Sequence, residues 1–491
     1  MISIHEIMES TTKKKLEILD LLEMKSDYVR YNEIVEKIKL SRNTAEKYII
    51  ELQSYLEDMR HEKKSLIKDR SGARLVIKSL SEHNRLRVSI IESDLSICLF
   101  KNLILGDSVN EVKFSEQYFI SGSSYRRKLT RIRKIIEKNH LEISKQKGNV
   151  VLLGDEWYIR SIARKYFWDI YKGEVWPFEK ISKEYVGKIL SSLTELSMRS
   201  KINLINIQQV FNLVGIQLMR SRNGYNFISP KHLKIESNYI VKFFFFHRDR
   251  RIFKDEGELV YFFLSLMAAP RFLETPLGKT IRTITKENNS FLHKVNERFI
   301  RHFQNEFFTL SEQEIELIEP GLYASHLVSI LYPKAVELED LAKDESPYSF
   351  PNLRKKLEVL LERCIKNKFD LNSSNLIKKY FLIFGQIRKL SIYEEEVSIL
   401  LNTDTGVLNE NIVMRKMYNY FGDRYNIHCY TKFTEDRVGR YDLTIVTSMT
   451  PEINVHFSDS TIVYVKQGLE FRDIISIEKK LLEIKNRKIK K

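Results

Sequence analysis

Apolar positions recur at helical spacing along most of the chain, and two stretches in the first third repeat one pattern. LSRNTAEKYIIEL, residues 40–52, aligns without gaps on ISGSSYRRKLTRI, residues 120–132. Ser41 and Ser121 are good N-caps, because a serine oxygen accepts from the free N–H groups of a first helical turn. The apolar positions lie on one helix face; they are Ala45, Ile49, Leu52 and Leu56 in the first copy, and Tyr125, Leu129, Ile132 and Ile136 in the second.

Each of these capped helices follows two shorter helical patterns and precedes a hairpin pattern. In the first copy KKKLEILDLLEM and YNEIVEKIKL come before the helix, and SLIKD and RLVIK flank a turn after it. In the second copy SICLFKNLILGD, VNEVKFSEQYFI, LEISKQ and VVLLGD repeat that order. Two helices, a tight turn, a third helix and a hairpin make a winged helix-turn-helix. We therefore predict two such domains, over residues 1–90 and 91–158.

The rest of the chain shows two helical blocks and a block that alternates strands with helices. Residues 159–280 and 281–392 carry long helical patterns, such as IQQVFNLVGIQLMR and GLYASHLVSILY. In residues 393–491 four β-prone runs alternate with helical segments, which predicts a small parallel α/β sheet. The expected fold is multidomain and mainly α, with five domains over the 491 residues.

The net charge of +16 indicates a polyanionic partner, and the repeated helices indicate double-stranded DNA. In the helix-turn-helix order the third helix enters the major groove, and the hairpin contacts the backbone. The candidate DNA-binding residues are Arg42, Asn43, Thr44, Lys47, Ser123, Ser124, Arg126, Arg127, Lys128, Arg131 and Lys134. Those nearest the helix starts, Arg42, Asn43, Ser123 and Ser124, are candidates for base edges. The candidate wing residues are Lys68, Arg70, Arg74, Lys145 and Lys147.

Other features argue against a membrane, secreted or catalytic role. No apolar run is long enough to span a membrane, and the N-terminus lacks a signal core. The three cysteines are far apart, which favours a reducing cytosol. P-loop, zinc-protease, nucleophile-elbow and paired-cysteine motifs are missing. We expect a cytoplasmic, nucleoid-associated protein that is not an enzyme and has no catalytic residue, metal site or cofactor.

The tandem helix-turn-helix pattern resembles the Mga/AtxA-like virulence regulators of Gram-positive bacteria. The most specific match is GDEWYIRSIARKYFWDIYKGEVWPF, residues 154–178, where the second winged helix passes into the next domain. The resemblance covers essentially the whole chain and is strongest over residues 95–180. It implies a DNA-binding global or virulence transcription regulator.

The resemblance also implies that the two helical blocks are phosphotransferase-regulation domains (PRDs). Such domains respond to sugar transport through histidine phosphorylation, so the phosphocarrier protein HPr becomes an expected partner. In the second block His326, in YASHLVSILY, fits the place of a regulatory histidine. In the first block Asn212 or Leu213 stands at the corresponding place. His326 is therefore the phosphorylation candidate, with a buried structural histidine as the alternative.

The C-terminal block resembles the enzyme IIB component of sugar phosphotransferase systems. In that component the loop after the first strand presents a phospho-cysteine, whereas here the loop is NTDTG, Asn402 to Gly406. Cys429 lies on the second predicted strand instead. The resemblance implies a domain without phosphoryl transfer that helps to form a homodimer.

Two other functions stay open from the sequence. A phosphotransferase-linked antiterminator that binds RNA would also carry two regulatory domains, but it would begin with a short β-rich RNA-binding domain. A nucleic-acid enzyme would need paired carboxylates at strand ends, and the acidic runs here are typical of solvated helix faces. The repeated helix-turn-helix pattern favours the DNA-binding regulator.

Overall fold

The computed structural model describes most of the chain and divides it into two compact units, residues 1–284 and 285–491. The described residues are 2–25, 27–60, 66–76, 79–194, 204–229, 231–247, 253, 255–331, 350–366, 373–404, 406–431, 441–448 and 460–489.

The first unit begins with two segments that have the same order of helices and strands. The first segment has one additional short helix at its start. The first segment comprises α1 (Ile4–Ile7), α2 (Ser10–Met24), β1 (Val29–Arg30), α3 (Tyr31–Ile38), α4 (Arg42–Arg60), β2 (Leu66–Lys68) and β3 (Gly72–Leu75). The second comprises α5 (Leu80–Glu92), α6 (Leu95–Ile104), β4 (Val109–Asn110), α7 (Glu111–Gln117), α8 (Gly122–Glu137), β5 (Glu142–Gln146) and β6 (Asn149–Leu153). Each segment closes on an antiparallel three-stranded sheet of the same topology, β1-β3-β2 and β4-β6-β5.

In both segments a third strand attaches the hairpin to the helices. The strand before the helix-turn-helix pairs with the last strand of the hairpin, Val29 with Ala73 in one segment and Val109 with Val150 in the other. This pairing adds a third strand to a hairpin that would be marginal alone. The second hairpin turns through Lys147 and Gly148, both at positive φ, as a two-residue type I′ turn requires.

The rest of the first unit is helical. Its helices are α9 (Glu156–Tyr171), α10 (Lys183–Thr194), α11 (Leu204–Arg222), α12 (Lys234–His247), α13 (Glu256–Met267), α14 (Pro270–Leu273) and α15 (Pro276–Glu287), the last of which runs across the division between units. Helix α13 is buried at nearly every position, as its run of nine apolar, aromatic and small residues predicts. No described helix is long and apolar enough to cross a membrane.

The second unit joins a helical part to a parallel sheet. The helices are α16 (Phe291–Glu306), α17 (Glu312–Leu331), α18 (Pro351–Leu361) and α19 (Ser373–Phe384). The sheet part comprises β7 (Val397–Asn402), α20 (Val407–Phe421), β8 (Ile427–Tyr430), β9 (Leu443–Val446), β10 (Thr461–Tyr464) and α21 (Phe471–Ile489). The strand order is β10-β9-β7-β8, and every pairing is parallel.

The predictions of a mainly helical chain, a helix-turn-helix and a C-terminal parallel sheet are confirmed. The predicted domain boundaries fall inside helices, because patterns of apolar residues do not mark where one core ends. The boundary at residue 90 lies in α5, that at 158 in α9 and that at 280 in α15. The division into five domains stays a prediction.

Candidate nucleic-acid interface

Helix α8 buries an apolar stripe and leaves part of its basic side exposed to solvent. Ser121 caps it, accepting from the Ser124 N–H at 3.2 Å. The predicted stripe is buried in the second segment; it consists of Tyr125, Leu129, Ile132 and Ile136. Because the basic residues lie outside this stripe, burial of the stripe turns several of them outward.

Three basic side chains of α8 are exposed. Arg127 and Lys134 face solvent. Arg126 is also exposed, with its Nε 3.3 Å from a Glu111 carboxylate oxygen and 3.2 Å from the Gly122 carbonyl. Ser123 and Ser124 lie in the first turn, where Ser123 shares a 2.9 Å hydrogen bond with the capping Ser121. The outer side of α8 therefore carries positive charge from its second turn to its last.

Two of the predicted DNA-facing residues are engaged within the chain instead. Lys128 forms an ion pair with Glu9, and only 11% of its side chain is exposed. Arg131 donates to the backbone carbonyls of Glu6, at 2.6 Å, and Met8. Both residues were predicted to bind DNA, and that stays a prediction; helical periodicity could not show that residues 6–9 lie against α8. We call residues 2–9 the N-terminal clasp.

The clasp is fixed to the second segment by more than these two contacts. Ile2, Ile7 and Met8 are buried. The Glu9 backbone N–H donates to Asp94 at 2.7 Å, and Ser96 donates to the Glu9 carboxylate at 3.0 Å. Burial by itself would raise the pKa of Glu9, but the hydrogen bond and charge of Lys128 lower it below its usual value. Glu9 is therefore held as a carboxylate beside the basic helix.

Helix α4 has the same cap and stripe but a different outer side. Ser41 accepts from the Thr44 N–H at 3.2 Å, and its hydroxyl lies 2.7 Å from that of Thr44. Arg42 pairs with Glu46 at 2.9 Å and also donates to the Arg70 carbonyl. Asn43 and Lys47 are exposed. The basic residues here are fewer than in α8 and alternate with acidic ones.

The predicted wing residues are all on the surface. Lys68, Arg70 and Arg74 are exposed on the first hairpin, and Lys145 and Lys147 on the second. Hydrogen bonds from Tyr28 and from Ser71 lower the pKa of Asp69 in the first hairpin to about 2. The first wing thus carries a fixed negative charge among its cations.

Comparison with known proteins identifies the domain that contains α8. Residues 81–167 match the Mga helix-turn-helix domain. The chain carries a Mga helix-turn-helix domain. Over 302 residues it is 22% identical to the capsule synthesis positive regulator AcpB of Bacillus anthracis, an alignment that covers 60% of this chain and 58% of AcpB. Over 220 residues it is 20% identical to a protein of Streptococcus pneumoniae serotype 4 (strain ATCC BAA-334 / TIGR4) named as a trans-acting regulator, covering 45% of this chain and 43% of that protein.

These matches confirm the resemblance to Mga/AtxA-like regulators. The chain spans about half the length of the curated relatives that it matches. The Mga match starts within α5 and ends within α9, so the Mga domain takes in both helices that flank the second winged helix.

The Mga domain is joined to the following helices by a buried network of charges. The motif GDEWYIR supplies Glu156 and Arg160, four residues apart on α9, with 2.7 Å between Arg160 Nε and Glu156 Oε1. Arg160 also makes two 2.8 Å hydrogen bonds to Glu258 on α13. Arg220 on α11 binds the second oxygen of Glu156 at 2.6 Å and donates to the Ile104 carbonyl at 3.1 Å. Both arginines are fully buried.

Arg220 and Glu258 were missed from the sequence. The available signal was an arginine inside an apolar helical run, since a charge is rarely buried without a partner. Arg160 in WYIRSIA and Arg220 in IQLMR both meet that description. Their partners could not be named, because pairing across helices far apart in sequence is set by the fold.

Gly154 and Asp155, at the start of the same motif, form the turn that leads into α9. Gly154 has φ +155°, and a Cβ there would lie 2.3 Å from a Leu141 methyl carbon. Asp155 caps α9 by accepting from the Tyr158 N–H at 2.8 Å. The turn from β6 into α9 is therefore tight, and it places Glu156 directly at the buried network.

His326 lies in the core of the second unit. It is 1% exposed, and burial lowers its pKa to about 3, so the imidazole is neutral. Nδ1 lies 2.9 Å from Asn296 Oδ1 and Nε2 lies 2.6 Å from the Tyr380 hydroxyl. The Asn296 amide donates to the Leu292 carbonyl, which directs its oxygen to His326. Nδ1–H therefore donates to Asn296 and Nε2 accepts from Tyr380, which leaves no free lone pair for a phosphoryl group.

The loop after β7 has no thiol, and the cysteines of this unit are buried. The Asp404 N–H donates to the Thr447 hydroxyl at 3.0 Å, and that hydroxyl donates back to the Asp404 carboxylate at 2.7 Å. Burial raises the pKa of Cys429 to about 12 and that of Cys364 to about 11. Neither thiol is therefore ionised at neutral pH.

Proposed function

We propose that the chain is a transcription regulator that binds double-stranded DNA through its Mga domain, with α8 as the main phosphate-binding helix. The observation that carries this proposal is the exposed basic side of α8, on a helix placed third in a helix-turn-helix. Arg126, Arg127 and Lys134 each neutralise a phosphate, and each contact adds to the salt dependence of binding. The protein then acts in the cytoplasm, on the nucleoid, and has no catalytic activity of its own.

Filter binding with the full chain tests this proposal against its alternatives. The probes are duplex DNA and single-stranded RNA, each with and without a divalent cation. We expect tighter retention of the duplex, loss of binding as salt rises, and no cleavage. Preference for the RNA would favour an antiterminator, and cleavage with the cation would favour a nucleic-acid enzyme.

The relatives support a regulator of surface or virulence traits. One is named a positive regulator of capsule synthesis and the other a trans-acting regulator. We propose that this chain, like these relatives, regulates gene expression in trans and that its target genes encode surface or virulence traits. Occupancy of the tagged protein across the genome tests it, and enrichment at housekeeping genes alone would contradict it.

The two helical blocks, residues 159–280 and 281–392, are the proposed sensing domains. His326 is the proposed site of phosphorylation by HPr. Phosphorylation there adds up to two negative charges to a buried core and must separate α17 from Tyr380 and Asn296. The test compares His326→Ala with Asn296→Ala for their response to a transported sugar. Both variants lose the buried hydrogen bond between His326 and Asn296. Phosphorylation is therefore supported only if His326→Ala loses the sugar response and Asn296→Ala keeps it.

Helix α21 supplies the proposed dimer contact of the C-terminal sheet. One face of α21 packs on the sheet through Ile477, Leu481 and Ile484. A second, exposed face carries apolar residues at spacings of four and seven; they are Phe471, Ile475, Leu482 and Ile489. Leu482→Glu should convert a dimer to a monomer in solution. Leu317→Glu, at an equally exposed leucine of α17, is the matched control.

A further inference from the structure

Three side chains of types that can bind metal ions converge where the first segment meets the Mga domain. Asp20 and Glu23 lie one helical turn apart on α2, and His83 lies on α5. One carboxylate oxygen of each acid and one ring nitrogen of His83 lie within 4.8 Å of one another. Two separate stretches of the chain therefore bring one nitrogen and two oxygen ligands to a single point.

His83 is buried at this place, and one of its ring nitrogens is left without a hydrogen bond. It is 5% exposed, and its Nδ1 is buried without a hydrogen-bond partner among the described residues. Nδ1 lies 3.3 Å from Glu23 Oε1, in a geometry that makes no hydrogen bond. A buried polar atom left in this state costs free energy. A cation between the nitrogen and the carboxylates would satisfy all three.

Three charged side chains, Glu23, Asp20 and Arg87, surround His83. Burial and the charge of Arg87 lower the pKa of His83, against the opposing effect of Glu23 and Asp20. Arg87 forms an ion pair with one Asp20 oxygen. Outer hydrogen bonds of that kind orient ligating carboxylates, although the arginine charge also weakens cation binding.

We propose that Asp20, Glu23 and His83 bind a divalent transition-metal ion, of which Zn²⁺ fits best. Zinc takes one imidazole and two carboxylates with water as the fourth ligand, and at metal–ligand distances of about 2.0–2.2 Å the ligand atoms stand roughly 3.3 Å apart. The separation of up to 4.8 Å closes by movement of the acids, since the Asp20 and Glu23 side chains are 50% and 48% exposed. Mg²⁺ fits poorly, because it prefers oxygen ligands.

The bound ion would link α2 of the first segment to α5 of the Mga domain. Those helices already pack together, with Arg87 of α5 on Asp20 of α2. An ion held by both helices would stabilise their placement and so the spacing between α4 and α8. This consequence does not depend on DNA binding and is measurable on the free protein.

Calorimetric titration of the metal-stripped full chain with ZnCl₂ tests the site, with MnCl₂ and MgCl₂ as the other arms. We expect one saturable zinc equivalent that raises the melting temperature, weaker binding of Mn²⁺ and none of Mg²⁺. Glu23→Gln and His83→Gln should each raise the zinc Kd at least tenfold. His428→Gln, at an exposed histidine of β8, should leave it unchanged.

Two results would overturn the proposal. One is the lack of any saturable zinc equivalent in the wild-type chain. The other is a zinc equivalent that persists in Glu23→Gln, which would place the ion on other residues. Glu23 is half exposed, so that variant is expected to fold even if His83→Gln does not.

Discussion

Helices α4 and α8 have the same cap, the same buried stripe and the same place in a winged helix, and they differ in charge. Over its length α8 carries six basic residues and one acidic residue, whereas α4 carries three basic and four acidic residues. The cap and the stripe are common to both helices, whereas the charges on the outer side differ between them. The strongly basic helix is the better match for a phosphate backbone.

Helices α4 and α8 also differ in the contacts that anchor them and their surroundings to the rest of the chain. Near α4, Lys15 of α2 binds Glu51 at 2.6 Å in a partly exposed pair. Near α8, the clasp takes up Lys128 and Arg131, and the buried network of Arg160 and Glu258 holds the Mga domain to the helices that follow. The Mga domain is thus tied to both its neighbours along the chain.

The largest expected effect comes from breaking the buried network. Arg160→Met leaves Glu258 buried without its partner, which should cost about 3–5 kcal/mol of unfolding free energy. All three tryptophans lie in residues 157–176, so urea unfolding followed by tryptophan fluorescence reports on this region directly. Lys15→Met is the matched variant in the first segment and should cost about 1 kcal/mol, because Glu51 keeps access to water. Equal losses would mean that the two segments are held alike.

A smaller effect is expected from the clasp. Glu9→Gln removes the carboxylate that binds Lys128 and should cost about 1–2 kcal/mol of stability. Removing a negative charge beside α8 and freeing Lys128 should also tighten duplex binding several-fold at low salt. Glu17→Gln removes the same charge on the exposed side of α2 and should change neither quantity. Unchanged duplex affinity in Glu9→Gln would show that the clasp lies away from the DNA surface.

The stabilising effect of Glu9 should depend on pH. Its pKa is lower in the folded chain than in the unfolded chain, so its contribution is present above the ordinary value of 4.5 and is lost as pH falls below it. The difference in urea midpoint between the wild-type chain and Glu9→Gln should therefore be constant near neutral pH and shrink below pH 4.5. A difference that grows on acidification would contradict the ion pair with Lys128.

The smallest effect is expected from the wings. Lys145→Ala combined with Lys147→Asn should weaken duplex binding several-fold, since each residue is one of the proposed contacts with the DNA backbone. Asparagine is used at Lys147 because that residue has φ +47°. Lys68→Ala combined with Arg70→Ala in the first wing should weaken it less than twofold, because Asp69 lies between those cations. Equal effects would assign DNA contact to both segments.

Local patterns predicted much of the fold. The caps at Ser41 and Ser121, the stripes of α4 and α8, both hairpins and the parallel strands follow from spacing along the chain. Contacts between residues far apart in sequence did not follow. The Glu9–Lys128 pair spans 119 residues and the Arg160–Glu258 pair spans 98, and no periodicity connects them. The sequence placed His326 on a helix, as found, but its partners Asn296 and Tyr380 were visible only in the fold.

Salt dependence of duplex binding tests the central claim that α8 carries the phosphate contacts. Each contact contributes about 0.9 to the slope of log affinity against log salt concentration. Arg127→Ala combined with Lys134→Ala should therefore reduce the magnitude of the slope by about 2, with a loss of at least tenfold in affinity at low salt. Arg42→Ala combined with Lys47→Ala, the matched change in α4, should reduce the slope by much less than 1. An unchanged slope in the α8 variant together with a large reduction in the α4 variant would contradict the account and assign DNA binding to the first segment.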